Sequence, residues 1–492
     1  MRFARIHGAA RVRRAVASGA VMFTTLCALS RSDDLAGFRD SRPASSPAPV
    51  ELVDDEAPVA AETPATAAAP QNPEAPIESL TRRIESLERE LAESRAGTKQ
   101  AKSDGGWEVV PDAPWSIRPG GAINVDYVNW AKNDEAIRGA SDFVEFRRVR
   151  FSLDGTGFGV FAFRAQYEFE PEADFESGVE GPVVRVLDNF LDMNDAPVFG
   201  RVRIGNFFVP FSMEQNTNAP NLTFLERAAP LLAGFSPSRR LGIASYNVSP
   251  NNRATLSYGV FFADVNEFTK ERIADEQGVL AAVRGTWTPV YDEPSDGRYL
   301  VHLGIGYYYK DDADDLVRFR TRPDVHEGPI VIDTGLLNAD HFHVANLEWA
   351  TVWGPFSAQS EFFATSVDTD EGNRFLYGYY AFVSYFLTGE NRNYEYDTAY
   401  YANFGPVVPF TNFWWVKGSR GLGAWELKAR YDYLDFTSVA RGHYQSTTVG
   451  VNWYWNRYVR WMFDWIHPWN SAATVFGETQ ADILAVRFQI AY

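Results

Sequence analysis

The chain has 492 residues, with 64 acidic and 46 basic side chains, and a formal net charge of −18 at pH 7. This charge argues against a nucleic-acid-binding protein, which needs a basic surface. The composition is 45% hydrophobic and 15% aromatic, with 14 Trp, 23 Tyr and 36 Phe. Such an aromatic content is typical of proteins that carry girdles of Trp and Tyr at the two membrane interfaces.

The N-terminus is typical of an export signal. Five arginines lie within the first 14 residues, and an apolar stretch at 15–29 follows that is too short to span a bilayer. We therefore predict a signal peptide over residues 1–31. The chain's one cysteine, Cys27, lies inside it; a lipoprotein signal would use this cysteine, but Thr25 and Leu26 fit that motif poorly. A mature chain without cysteine would avoid wrong disulfides in an oxidising compartment.

Three segments separate this signal from the rest of the chain. Residues 32–76 are rich in Ala, Pro and Glu, which predicts a disordered linker. Residues 77–96 carry an apolar residue at alternating spacings of three and four, which is the pattern of a coiled coil. Two heptads are too few for a stable assembly alone, so the segment is either a short coiled coil at an oligomer axis or a solitary amphipathic helix. A second linker is predicted at 97–114. The heptad positions are Ile77, Leu80, Ile84, Leu87 and Leu91.

From residue 115 onward the apolar period becomes two. In the terminal segment 483–492, Leu484, Val486 and Phe488 fall on one face of a strand, whereas Arg487 and Gln489 fall on the other. After the N-terminus no apolar run approaches the ~18–20 residues of a spanning helix. A soluble β-sandwich would have to bury these aromatic faces against a second sheet. The pattern favours an all-β fold over residues 115–492, a 16-stranded antiparallel transmembrane β-barrel. Similar alternation occurs at 161–170, 301–310, 425–433 and 459–466.

Short and long connections alternate between the predicted strands. Bacterial outer-membrane barrels have short periplasmic turns and long outer loops, so both barrel termini are expected in the periplasm. The terminal strand should pair with the first strand near 123–127, because an open sheet edge is not tolerated. One long connection, 389–423, falls at the short-turn end, as an insertion or as a missed strand pair around 410–416. The predicted long loops are 171–182, 208–238, 264–277, 311–339 and 468–479.

Strand alternation also turns many arginines into the lumen. A guanidinium stays charged at any working pH and presents a flat fork of donors that suits oxyanions. Such groups along a pore wall can relay anions, provided that each site both binds and releases them. The alternative is that the arginines pair with lumenal carboxylates and hold strands together. The arginines placed by alternation are Arg148, Arg150, Arg164, Arg201, Arg203, Arg430, Arg460 and Arg487. The carboxylates are Asp154, Glu168, Glu170, Glu426, Asp432 and Asp464.

The connection at 208–238 is too long for a hairpin and is expected to have a function. In a wide barrel it could fold inward and narrow the pore, which would bring Arg227, Arg239 and Arg240 near the constriction. The alternative is an outward surface loop.

Other residue clusters give weaker signals. His341 and His343 share a face, but this spacing without a third ligand is a poor metal signal, so we predict no metal. The acidic group Asp311, Asp312, Asp314 and Asp315 could hold calcium or cations that bridge lipopolysaccharide, although a solvated acidic loop is favoured. The sequence has no G-x-S-x-G, H-E-x-x-H or phosphate-loop motif, so we predict no cofactor and no enzyme.

Several segments, in order along the barrel, resemble the phosphate-selective porin family of the O and P type. The resemblance implies a 16-stranded barrel, usually a homotrimer, that passes small anions by diffusion, with the third outer loop folded into the lumen. Carried over by position, Arg147 and Arg148 match the family's paired arginines, and Arg227 matches the arginine of its loop motif. The matching segments are 146–170, 201–215, 222–230, 238–243, 384–394, 423–436, 447–467 and 483–492.

One difference from the family concerns phosphate. Phosphate-specific members have a lysine shortly before the T-F-L-E-R segment, whereas residues 216–221 here contain no cation. We therefore expect a passive outer-membrane channel for small anions, possible permeants being phosphate and polyphosphate, in contact with lipid and lipopolysaccharide. The alternatives are a general or carbohydrate-type porin, and a structural tether whose N-terminal coil binds the cell wall.

Overall fold

The computed structural model describes residues 115–174, 179–263, 278–395 and 402–492. The predicted signal peptide, the heptad segment and both linkers lie outside these residues, as does the connection 264–277. No helix within the described ranges is both long and apolar enough to cross a bilayer.

Sixteen long antiparallel strands form one closed sheet, which confirms the predicted barrel. Three further strands of two residues each lie in the connection between β9 and β10, at Leu316–Val317, Arg320–Thr321 and Ile332–Asp333. The long strands are β1 Trp115–Asn133, β2 Phe143–Gly157, β3 Phe161–Asp174, β4 Val179–Ala196, β5 Gly200–Phe208, β6 Arg239–Val248, β7 Ala254–Phe262, β8 Val279–Tyr291, β9 Tyr299–Asp311, β10 Leu337–Trp353, β11 Phe356–Thr369, β12 Gly372–Phe386, β13 Ala424–Asp435, β14 His443–Tyr454, β15 Val459–Asn470 and β16 Thr479–Ala491.

The sheet closes where β16 pairs with β1. Ile123 lies opposite Ile490, and Tyr127 lies opposite Val486, which confirms the predicted pairing of the terminal strand with the first strand near 123–127. The backbone of Tyr492 continues the ladder, because its N–H and carbonyl both bond to Gly121, at 3.0 and 2.9 Å. A bilayer supplies no water to an unpaired strand edge, so this seam is what allows the sheet to cross it.

The strand period of two sorts side chains between the outer and inner walls. On β14 the apolar Val449 is 46% exposed on the outer wall, whereas its neighbour Thr448 is buried inside. The inner wall is not uniformly polar, because Met462, Ile466 and Ile483 also point inward. These apolar side chains have a packing partner inside the barrel, described below.

The two ends of the barrel differ. One end, here the turn end, carries the short connections 158–160, 197–199, 249–253, 292–298, 354–355 and 455–458. The other, here the loop end, carries the longer connections 209–238 and 312–336. The two-residue turn 370–371 is an exception at the loop end.

The prediction of a long loop at 171–182 is wrong. Pro171 lies opposite Pro182, so β3 continues to Asp174 and β4 starts at Val179. Valines at 179, 183 and 184 favour extended backbone on both sides of Pro182, so strand propensity outweighs the proline as a turn signal.

The connection 387–423 at the turn end is an insertion rather than a missed strand pair. Within its described residues, 387–395 and 402–423, only isolated bridges form, between Tyr394 and Phe404 and between Phe413 and Gly421. Tyr394 and Phe404 are buried in a cluster that includes inner-wall residues of the barrel. Farther along, Trp414 and Trp415 are 57% and 70% exposed.

We predict that Val449→Arg destabilises the barrel by about 2–4 kcal/mol, because a charged side chain near the middle of the outer wall faces hydrocarbon. Urea unfolding in lipid vesicles, followed by the gel mobility of the folded barrel, measures the change. Val449→Leu is the matched control and should unfold like the parent. Equal stability of the arginine variant would contradict the assignment of this face to lipid.

Candidate functional site: the lumen and its inserted loops

The connection 209–238, here called the first inserted loop, lies inside the barrel. It leaves β5 and reaches the inner walls of strands that are far away in the sequence. The N–H of Leu225 donates to Asp464 on β15 at 3.2 Å, and the ammonium of Lys428 on β13 donates to the carbonyl of Thr223 at 2.9 Å. The amide of Gln489 on β16 donates to the carbonyl of Pro220 at 2.9 Å.

A buried carboxylate fixes the start of this loop. The loop forms one helical turn, α1 (Met213–Asn216), whose N–H groups at Met213 and Glu214 donate to Glu361 on β11 at 3.2 and 2.9 Å. Anions are favoured at a helix start because its first N–H groups have no helical partner. Just before α1, the ring of Phe211 packs against Gly306 on β9, where an added Cβ would lie 2.9 Å from the ring.

The carboxylate of Glu226 fixes the middle of the loop. It accepts from Arg147 at 2.8 and 3.1 Å, from Arg148 at 3.4 Å and from Arg487 at 2.8 Å. Arg487 also donates two hydrogen bonds to Asp126 on β1, at 2.7 and 2.6 Å. Burial by itself would raise the pKa of Glu226, but the three arginines outweigh it and hold that pKa well below its usual range.

A β-bulge explains why two adjacent arginines both reach the lumen. Asn124 lies opposite Arg148, but the next residue, Val125, lies opposite Phe146, so Arg147 is the extra residue on β2. Strict alternation would send Arg147 outward. Because of this bulge, both arginines implied by the family resemblance, Arg147 and Arg148, reach the lumen.

Most other predicted lumenal arginines pair with carboxylates, as the pairing alternative expects. Arg203 forms two bonds of 2.7 Å with Asp192, and its guanidinium lies 3.4 Å from the centre of the Phe190 ring. Further pairs are Arg150–Glu168 at 2.6 Å, Arg164–Asp154 at 2.6 Å, Arg239–Asp188 at 2.8 Å and Arg430–Asp432 at 2.7 Å. Other polar groups accept from Arg201 (Asn194, 2.8 Å), Arg240 (the Ala263 carbonyl, 2.7 Å) and Arg460 (Gln489, 3.2 Å).

Arg227 holds the first inserted loop together. Its guanidinium donates to the carbonyls of Glu214, Gln215 and Thr217, at 3.2, 3.1 and 2.9 Å. These carbonyls lie at the end of α1, where the helix leaves acceptors unpaired and favours a cation.

The connection 312–336, here called the second inserted loop, also enters the barrel. Phe319 is buried against Phe235 of the first loop and Phe342 of the inner wall. Asp324 accepts from Arg430 at 3.1 Å and from Tyr444 at 3.1 Å. Aromatic packing and buried charge pairs thus tie both inserted loops to the same region of the wall.

A cationic cavity lies where the two loops meet. Its volume is about 270 Å³, and its lining includes Arg147 and Glu226 together with His326. Three more arginines line it, which the sequence reasoning missed: Arg318, Arg320 and Arg322. They occupy alternate positions of the segment R-F-R-T-R, a pattern that could have been read as a one-faced cationic strand. A larger groove of about 690 Å³ lies on the apolar outer wall, among side chains such as Val449 and Trp465, away from the lumen.

The match to a family model decides the classification, since the model described as "Phosphate-selective porin O and P" covers residues 117–492. The chain belongs to this family. It is therefore an outer-membrane porin, and the family and fold indicate a channel rather than an enzyme.

Relatives and solved structures resemble the chain over most of the barrel. "Porin O" of Pseudomonas aeruginosa is 26% identical in an alignment 396 residues long, which covers 73% of this chain and 84% of the relative. A Caulobacter vibrioides protein is 29% identical over 325 residues, 64% of this chain and 61% of its own length. OmpT of Vibrio cholerae, in vitro folded, has a TM-score of 0.47 at 12% identity and covers 78% of this chain and 100% of its own. An anion-selective porin from Comamonas acidovorans has a TM-score of 0.46 at 15% identity, with coverages of 77% and 100%.

We predict that Glu226→Gln weakens docking of the first inserted loop by about 3–5 kcal/mol, because it leaves buried arginines without their shared anion. Single-channel recording at pH 7 should then show a larger and noisier open level. Glu371→Gln removes an exposed carboxylate that pairs with Arg374, and it should leave the open level unchanged. A quiet, parent-like Glu226→Gln channel would contradict this role.

The same carboxylate predicts a pH dependence. Since the folded pKa of Glu226 is depressed, its stabilisation is complete above the ordinary carboxyl pKa and is lost as pH falls through the folded value. Parent channels should therefore stay quiet at pH 5 to 7 and become noisy only in stronger acid. The glutamine variant should already be noisy at neutral pH, so a parent that becomes noisy near pH 6 would contradict the assignment.

Proposed function

We propose that this porin is a passive diffusion channel for small anions and that the cavity between its inserted loops is the selective part of the path. The observation that carries the proposal is the lining of that cavity. The residues that line it include four arginines, Arg147, Arg318, Arg320 and Arg322, and one glutamate, Glu226. Guanidinium groups keep their charge at any working pH, so the excess of positive charge persists.

The contacts of these arginines suit transport rather than tight capture. Arg147 shares its guanidinium with Glu226, and Arg318 pairs with Asp333. An anion that enters must compete with these carboxylates, so each binding step is weakened and release remains fast. The arginines deeper in the wall are paired with carboxylates and would fix the loops that border the path. In this proposal the anion path includes the predicted set Arg147, Arg148, Arg150, Arg164, Arg201, Arg203, Arg227, Arg239, Arg240, Arg430, Arg460 and Arg487.

Phosphate is proposed as one permeant among small anions rather than as the sole substrate. The segment 216–221 carries no cation, and the side-chain amide of Asn216 donates to the carbonyls of Phe211 and Ser212, both at 2.9 Å. An amide engaged in this way supports the loop and offers no charge to a phosphate. The family description supports phosphate, whereas this segment supports a broader anion preference.

We predict that Arg320→Gln lowers the ratio of anion to cation permeability about fivefold, since a unit charge at 4 Å is worth about 1 kcal/mol in water. Reversal potentials across a bilayer in a KCl gradient give this ratio. Arg457→Gln, in the turn 455–458 beside Tyr458, removes the same charge at the other end of the barrel and should leave the ratio unchanged. A parent channel that prefers cations would overturn the proposed function. If added phosphate does not reduce the chloride current, phosphate is removed from the proposed permeants.

We further propose a homotrimer in the outer membrane of a Gram-negative cell, with periplasmic termini and the segment 77–96 as a coil at the trimer axis. Deletion of 77–91 should then abolish conductance steps that occur in threes and leave single steps of the same size. Crosslinking before and after the deletion provides an independent count of subunits. Steps in threes that survive the deletion would leave the segment as a linker only.

A further inference from the structure

At one edge of the cationic cavity, two carboxylates and one imidazole lie close together. Glu145 on β2 meets His326 and Glu327 of the second inserted loop. The Nδ1 atom of His326 lies 2.8 Å from Glu145 Oε2 and 3.5 Å from Glu327 Oε1. One ligand atom from each of the three residues lies within 4.8 Å of the others. All three side chains are half-buried, and His326 also lines the cavity.

We propose that Glu145, His326 and Glu327 form a binding site for a divalent transition-metal ion, with Zn²⁺ as the best match. One imidazole and two carboxylates supply the nitrogen and oxygen ligands that Zn²⁺ takes, and water would complete a four-coordinate shell. Imidazole favours Zn²⁺ over Mg²⁺ or Ca²⁺, which prefer oxygen ligands alone. In a tetrahedral shell with bonds of about 2.0–2.2 Å the ligand atoms lie about 3.3–3.6 Å apart. The three ligand atoms here already lie within 4.8 Å of one another, so the site is close to that spacing.

One feature of the surroundings favours a cation here. The Oε1 atom of Glu145 is buried and has no hydrogen-bond partner among the described residues. A buried carboxylate oxygen without a partner is costly, and a metal ion would satisfy it.

The positive charge of the neighbouring arginines is the main opposing effect, and two of them, Arg147 and Arg487, are already engaged by carboxylates. Arg147 directs two hydrogen bonds to Glu226, at 2.8 and 3.1 Å. Arg487 is likewise held by Asp126 and Glu226. A metal ion would add charge next to these pairs, but its own two carboxylates, Glu145 and Glu327, would neutralise that charge at the site.

The proposed ion would connect the barrel wall to the second inserted loop. Glu145 belongs to β2, whereas His326 and Glu327 follow the arginine segment 318–322 on the loop. The ion would therefore restrain the loop that carries three of the cavity arginines. It would also neutralise the negative charge of two carboxylates at the edge of the cavity. The cavity would then attract anions more strongly. This effect on transport rests on the proposed function, whereas metal binding does not.

The test is Zn²⁺ titration of the purified full-length porin by calorimetry, with Co²⁺ absorption as a report on nitrogen and oxygen ligation. We expect one Zn²⁺ per chain, with Mg²⁺ unable to displace it. His326→Gln and Glu145→Gln should each weaken binding by at least about tenfold. His443→Gln, whose ring stacks on Tyr433 of β13, is the matched control and should bind Zn²⁺ like the parent. Equal binding by the parent and both site variants, or no binding by the parent, would overturn the proposal; the gel mobility of the folded barrel checks that each variant has folded.

Conductance separates this proposal from the proposed function. If Zn²⁺ binds and its removal by a chelator lowers the anion preference of the parent but not of His326→Gln, both proposals are supported. If Zn²⁺ binds to a channel that prefers cations, the metal site stands and the proposed function fails. If an anion-selective parent binds no Zn²⁺, the proposed function stands and the metal site fails.

Discussion

The pairing of inward arginines with carboxylates is the interaction on which the arrangement of the lumen depends. Each charge turned inward by a strand must be hydrated or neutralised, because desolvation of a single ion costs several kcal/mol. The three-arginine contact of Glu226 and the double contact of Arg203 with Asp192 meet this requirement. A buried pair contributes little net stability, but breaking it is costly. Such pairs therefore determine where the inserted loops lie more than how stable the barrel is.

Apolar packing complements these pairs and accounts for the shape of the remaining space. Phe211 of the first loop packs edge-on against Tyr308 of the wall, with ring centres 4.9 Å apart. From the turn end, the insertion 387–423 reaches the same loop, where the amide of Asn403 donates to the carbonyl of Asn216 at 2.7 Å. The described part of the lumen is thus partly filled from both ends. The cationic cavity lies where loop backbone and arginines, rather than aromatic rings, line the space.

The barrel could be predicted from the sequence because lipid imposes a period of two on each strand. The seam between β1 and β16 followed from the same rule and from the need to remove an edge. The inserted loops could not be placed in this way, since contacts such as Leu225 with Asp464 join residues that no local pattern relates. The same is true of His326 and Glu145, whose metal-like geometry exists only after folding.

Local irregularities account for the other differences. The bulge on β2 brings Arg147 inward, which alternation alone would not predict. The prolines at 171 and 182 read as loop residues but lie opposite each other in paired strands. Arg227 occupies the expected loop, yet its hydrogen bonds support the end of α1, because a loop inside a barrel must satisfy its own backbone groups. The prediction that this residue lies on the anion path depends on position in sequence, which does not reveal where a guanidinium points.

Arg487 links the position of the first inserted loop to the closure of the barrel. It belongs to the last strand, pairs with Asp126 on the first strand, and also holds Glu226 and the carbonyl of Leu225 on the first inserted loop. The complete contact can exist only when β16 has met β1, since Asp126 and Arg487 lie on opposite sides of the seam. An intermediate that lacks the final strand would therefore hold this loop less firmly. The contact that seals the barrel and the contact that positions the first inserted loop thus share one side chain, so closure of the sheet also completes the support of the loop.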